Sequence, residues 1–151
     1  MKIGTFEGRA LGLDVGTKTI GMALSDRMGW IAHPWMTLGR QGVRKDVNSI
    51  VRLCQDQELR HLVVGLPLEL DGREERSARL ARQVGDALGE ELGLTPVYID
   101  ERYTSVEAER SLIALDMSRR RRKEVIDQAA AVLILQSWLD HGDWSQENPK
   151  T

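Results

Sequence analysis

Between Arg9 and Gly16 the chain reads as a β-strand with a carboxylate set into its middle. Strand side chains alternate, so Leu11, Leu13 and Val15 share one face while Ala10, Gly12, Asp14 and Gly16 share the other. Thr19 to Asp26 repeats the pattern, with Ile20, Met22 and Leu24 opposite Gly21, Ala23 and Ser25. The few residues between, around Gly16-Thr17-Lys18, suit a tight antiparallel hairpin. A carboxylate is costly to bury without a partner. A lone Asp14 would read best as a surface-facing side chain on a half-exposed strand. The glycines and alanines around it, however, clear space for a cation or a phosphate to approach.

A third strand is expected over Trp30 to Leu38, and Pro34 within it favours an edge position or a bulge. Val43, Val47, Ile50, Val51 and Cys54 fall at helical spacing. His61 to Leu66 is a short apolar run closed by Gly65 and Pro67, which reads as a buried strand. Glu74 to Leu92 forms a second helix with Ala81, Val84, Leu88 and Leu92 inward. Pro96 to Glu101 makes a fifth strand. Ser105 to Leu115 is a shorter helix that Thr104 or Ser105 could cap, and Glu124 to Leu139 is a strongly apolar last helix. A three-strand antiparallel meander followed by strand–helix alternation implies an α/β fold. Its five-stranded mixed sheet gains parallel strands and carries helices on both faces, with right-handed crossovers.

The 151 residues fit one domain. No apolar run is long enough to span a bilayer, and Met1 to Arg9 lacks the apolar stretch of a signal peptide. Cys54 is the only cysteine, which excludes an internal disulfide. A cytoplasmic protein without membrane contact is expected. The net charge of −2 gives no global field for nucleic acid, but Arg119, Arg120, Arg121, Arg122 and Lys123 form one basic block. That block is either a solvated loop or a contact for a polyanion.

Asp127 repeats the puzzle of Asp14 on the last helix, where Ala130, Ala131 and Ile134 continue its stripe. An acid with small residues on a strand face and an acid with small residues on a helix face are complementary. The two faces are expected to meet and bring Asp14 near Asp127. The other reading of Asp127 is an acid favoured by the helix dipole. Glu101 closes the fifth strand, at the carboxyl end where open α/β sheets place their sites, although a polar strand-ending turn would read the same way. Three carboxylates suit hard cations such as Mg²⁺ or Mn²⁺. A pair of such ions can activate a water and stabilise the leaving oxygen of a phosphodiester. His33, His61 and His141 show no metal-ligand spacing.

Four segments, in order, resemble the YqgF/RuvX family of Holliday junction resolvase-like, pre-16S ribosomal RNA nucleases. They are Leu11-Gly12-Leu13-Asp14-Val15-Gly16-Thr17-Lys18-Thr19-Ile20-Gly21; Val63-Val64-Gly65-Leu66-Pro67 with Asp71-Gly72; Asp100-Glu101-Arg102-Tyr103-Thr104-Ser105; and Asp127-Gln128-Ala129-Ala130-Ala131. The resemblance runs from about Ala10 to Gly142. It implies an RNase H-like fold and makes Asp14, Glu101 and Asp127 the metal-binding catalytic acids, holding two Mg²⁺ or Mn²⁺ ions. It implies trimming of the 5′ end of precursor 16S ribosomal RNA, with ribosomal particles as partners. True resolvases carry their second acid at the end of the fourth strand, where this chain has Val64-Gly65-Leu66. Glu101 would then supply that ligand.

Lys18 and Arg102 flank these acids and either contact phosphates or balance charge. With the resemblance, Arg119, Arg120, Arg121 and Arg122 are expected on the substrate backbone, just before the catalytic helix. Gly65 through Gly72 is expected to loop over the site. Trp30, Trp35 and Trp138 read as packing residues rather than base-stacking platforms. Residues 1–142 are expected to form the nuclease domain and 143–151 a disordered tail. Three rivals stand beside this reading. Asp-x-Gly-Thr before a hairpin also opens actin-like ATPases and sugar kinases, which need a second domain. A non-catalytic ribosome-assembly module would keep the fold. A junction resolvase would act on branched DNA as a symmetric dimer, whereas a monomer or weak homodimer acting on RNA or single-stranded DNA is expected here.

Overall fold

The computed structural model describes residues 7–67, 71–101 and 119–141, with side chains from 128 onward in the last stretch. Within the described residues, five strands and three helices follow in the order β1 (Arg9–Val15), β2 (Thr19–Ser25), β3 (Ala32–Gly39), α1 (Val43–Cys54), β4 (Leu59–Leu66), α2 (Arg76–Leu92), β5 (Val97–Asp100) and α3 (Arg119–His141). The sheet order is β3-β2-β1-β4-β5. β1–β2 and β2–β3 are antiparallel, while β1–β4 and β4–β5 are parallel, which is the mixed sheet expected. The expected helix over Ser105 to Leu115, most of the loop after Pro67 and the tail lie outside the described residues.

The alternation in β1 and β2 sorts the core into two layers. Leu11, Leu13, Val15, Ile20, Met22 and Leu24 join Val47, Ile50, Val84 and Leu88 of α1 and α2. On the opposite face Ala10, Ala23 and Val63 meet Ala130, Ala131, Ile134, Leu135, Trp138 and Leu139 of α3. These six α3 residues fall in pairs one turn apart, a single buried stripe.

Two boundaries differ from expectation for physical reasons. β3 starts at Ala32 rather than Trp30, because the Asp26 carboxylate accepts hydrogen bonds from the backbone N–H of Met28, Trp30 and Ile31 (3.2, 2.8 and 2.9 Å). That holds a turn closed by Gly29 at φ +74°. Trp30 is consequently 58% exposed and not the packing residue expected. Trp138 is buried against His61, ring centroids 5.0 Å apart, and Trp35 is half-buried. Pro34 sits on the edge strand beside the register shift between Met22 and Ala23, as its chemistry required. Finally, α3 begins at Arg119, so the basic block forms its first turns instead of a preceding loop; arginine is a good helix former.

Candidate active site

The small residues of β1 do what their size permits. A Cβ on Gly12 would lie 2.7 Å from Leu135 Cβ and 3.1 Å from the Ala131 carbonyl oxygen, so only glycine lets α3 lie this close to the strand. Asp14 stands two residues further along the same face and is partly buried. It pairs across the sheet with Gly21, and Gly21 pairs with Thr37. The Thr37 hydroxyl accepts a hydrogen bond from Gln128 Nε2 at 3.2 Å, which brings the start of α3's described side chains to the level of Asp14.

At the other end of the sheet Gln136 takes over. Its Oε1 accepts from the Ala32 N–H at 2.8 Å, and its Nε2 donates to the Trp30 carbonyl at 3.0 Å. The helix therefore runs antiparallel to β1. The backbone of residue 127, one turn before Ala131, lies at the Asp14 end. The expected meeting of the two small-residue faces is thus observed. The Asp127 side chain itself lies outside the described residues.

Glu101 arrives from the far edge. β5 pairs with β4 through Gly65–Ile99 and Leu66–Asp100, so Glu101 follows Ile99 by two and continues its face. Gly65 is the cradle for it. A Cβ there would lie 2.7 Å from Glu101 Oε1 and would collide with Ile134 Cδ1. Leu13 pairs with Val64, which makes Asp14 and Gly65 the next residues along the two strands. Asp14 and the Glu101 carboxylate thereby share one face at the carboxyl ends of the parallel strands, the usual place for a site in such sheets. Among the described residues no group of three His, Cys, Asp or Glu is close enough to hold a metal.

Lys18 is exposed on the β1–β2 turn. Arg102 lies outside the described residues, as do the side chains of Arg119, Arg120, Arg121 and Arg122. Two residues that the sequence reading passed over support the turn. Arg40 donates to Gly16 O at 3.2 Å and to Asp46 Oδ2 at 2.9 Å, with side-chain exposures of only 9% for Arg40 and 2% for Asp46. Asp46 also accepts from the Gln41 N–H at 2.8 Å. This buried pair ties the hairpin carrying Asp14 to α1. The Arg40-to-Asp46 spacing resembles any polar loop, so only the tertiary partner at Gly16 reveals it. Tyr98, on the opposite face, has its hydroxyl pushed up by burial and by its 2.5 Å hydrogen bond to Asp86, far from the acids.

A family model described as "RuvX: Holliday junction resolvase" matches residues 8–141. The "Putative pre-16S rRNA nuclease" of Myxococcus xanthus is 46% identical over 132 residues, 87% of each chain. The protein of the same name from Syntrophomonas wolfei is 43% identical over 139 residues, covering 92% of this chain and 99% of its own. Of solved structures, Thermus thermophilus RuvC in complex with a Holliday junction substrate superposes with a TM-score of 0.59 at 10% identity. That match covers 95% of this chain and 99% of the other. At so low an identity the likeness speaks to the fold, and it bears out the RNase H-like architecture.

Proposed function

Because the chain belongs to the RuvX family, we propose that it is a metal-dependent nuclease whose substrate is the 5′ end of precursor 16S ribosomal RNA. One observation carries the reading: the glycine-lined face of β1 and β4 receives α3 so closely that Asp14, Glu101 and the residue 127 backbone converge at one end of the sheet. The donors are carboxylate oxygens, and the Gly65 cradle leaves room for the Glu101 carboxylate, so the residues fit a hard divalent cation.

Asp14, Glu101 and Asp127 would hold two Mg²⁺ or Mn²⁺ ions. Bound there, such ions lower the pKa of a water and offset charge on the leaving oxygen. The protein's own part is to fix the three acids on rigid elements and to keep the site open to a strand. Lys18, Arg102 and Arg119 to Arg122 contact neighbouring phosphates and set the strand's position without reading its bases. Residues 1–142 form the nuclease unit, which agrees with the family match over 8–141. The protein works in the cytoplasm on ribosomal particles, as a monomer or weak dimer. None of the described helices is long and apolar enough to cross a membrane.

Junction cleavage is the second reading, favoured by the family description and by the fold shared with RuvC. β4 ends in Val64-Gly65-Leu66 without an acid, which departs from the resolvase pattern and ranks RNA first. The test is Mn²⁺- and Mg²⁺-dependent cleavage of labelled precursor RNA, single-stranded DNA and a four-way junction, with Asp14→Asn alongside. Cleavage of the RNA that Asp14→Asn abolishes is expected. Preferred cutting of the junction would replace the substrate. No cutting with intact RNA binding would replace catalysis with a ribosome-assembly role.

A further inference from the structure

A cavity of about 390 Å³ opens beside the β1–β2 turn, lined by Thr17, Arg40, Arg76, Arg79, Leu80 and Gln83. Among the described residues its wall has three arginines and no carboxylate. Arg40 is nine-tenths buried, and its bonds to Gly16 and Asp46 fix it in place. Arg76 and Arg79 rise from the first turn of α2. They are exposed and form no ion pair among the described residues. Two nearby acids pair chiefly elsewhere, Asp71 with Arg73 and Glu74 with Arg82, each at 2.7 Å, while Glu75 stands beside Arg76 at the helix start. The hydrogen bond from Arg82 holds the Glu74 carboxyl below its usual range. Glu75 at the N-cap makes no side-chain capping bond, and the first turn of this 17-residue helix has no acid. The positive end of the helix dipole thus adds to the arginines.

Such a wall suits a phosphate. Arginine forks match phosphate oxygens bidentately, and Thr17 and Gln83 offer neutral donors. The cavity lies at the same end of the sheet as Asp14 but on the face that packs α2, so a strand would reach it by rounding the β1–β2 turn. Thr17 follows Asp14 by three residues, a span of at most about 10 Å, and the cavity borders the hairpin whose β1 presents Asp14.

We propose that this cavity binds a phosphodiester of the substrate strand beyond the one that is cut, where the strand rounds the β1–β2 turn. The proposal rests on the nuclease reading, and binding measured apart from cleavage separates the two. Full-length protein is titrated with labelled single-stranded RNA in EDTA, across a salt series, for wild type and Arg76→Ala/Arg79→Ala. The control is Arg52→Ala/Arg60→Ala, which removes the same charge from the end of α1 and the start of β4.

The cavity variant should bind about tenfold more weakly at low salt, with its log–log salt slope reduced by about 0.7 to 1.4, one or two phosphates' worth. The control should stay near wild type at equal melting temperature. Arg76→Lys/Arg79→Lys, which keeps charge but not the fork, should recover part of the slope. An unchanged slope in the cavity variant, or an equal loss in the control, overturns the proposal. So does adenosine monophosphate binding that depends on Arg76 and Arg79 while the RNA slope does not, for the cavity would then serve a free phosphate ligand. If the cavity variant shows the expected loss of slope but wild type cuts nothing, the nuclease reading fails and the cavity assignment stands.

Discussion

Replacing Gly65 by alanine tests the link between packing and chemistry most directly. The added Cβ would fall 2.7 Å from Glu101 Oε1 and closer still to Ile134 Cδ1. Ile134 is fully buried, so its methyl has no free space to enter. Overpacking of this kind costs about 1–3 kcal/mol, which in a chain of this size lowers the melting temperature by roughly 2–12 °C. The carboxylate must also retreat by several tenths of an ångström, since a carbon–oxygen contact relaxes to about 3.3 Å. Misplacing a reacting group by about 1 Å can cost roughly a hundredfold in rate, so cleavage should fall about ten- to a hundredfold.

Gly12→Ala is the companion variant. It creates a similar clash, 2.7 Å from Leu135 Cβ, but none with an acid. Both variants should lose stability by thermal or urea denaturation, and Gly65→Ala should lose more activity per folded molecule. If Gly65→Ala, well folded at the assay temperature, cuts as fast as wild type, Glu101 does not act in the site and the three-acid reading is wrong.

Asp14→Asn and Asp127→Asn should each keep the fold and abolish metal-dependent cleavage, measured on labelled RNA with circular dichroism as the check on folding. Asp46→Asn leaves the buried Arg40 guanidinium without its anion and should destabilise the protein by about 3–5 kcal/mol in urea titrations. Burial pushes the Cys54 thiol up to about 12 from its ordinary 9.0, so native protein at pH 8.5 should resist iodoacetamide that labels the urea-unfolded chain readily. The raised thiol favours the fold below pH 9, and this contribution is lost as pH climbs towards 12. Alkaline denaturation should begin in that window, with Tyr98, also pushed up, adding to it.

Much of this architecture was legible because alternation is local information. Leu11, Leu13 and Val15 against Ala10, Gly12 and Asp14 define both faces of β1 before any partner is known, and the alanines of α3 identify which face it meets. The carboxylates at 14 and 101 were legible as exceptions to those patterns. Arg40 and Asp46 were not, since a buried ion pair looks like a solvated loop until Gly16 is found above it. Arg76 and Arg79 likewise match an ordinary charged helix face. Trp30 misled for a different reason: its residue type favours a strand, but three hydrogen bonds to one aspartate decide the backbone first.

The two glutamines of α3 have a consequence for how this protein tolerates change. Gln128 grips Thr37 at one end of the sheet and Gln136 grips Ala32 and Trp30 at the other. An α-helix turns about 100° per residue, so an insertion or deletion between them would swing one amide off its partner. The helix is indexed like a key with two teeth, and its azimuth at residue 127 is set partly by contacts about 13 Å away along its axis. Selection on cleavage would therefore reach Gln136, a residue that need never meet the substrate.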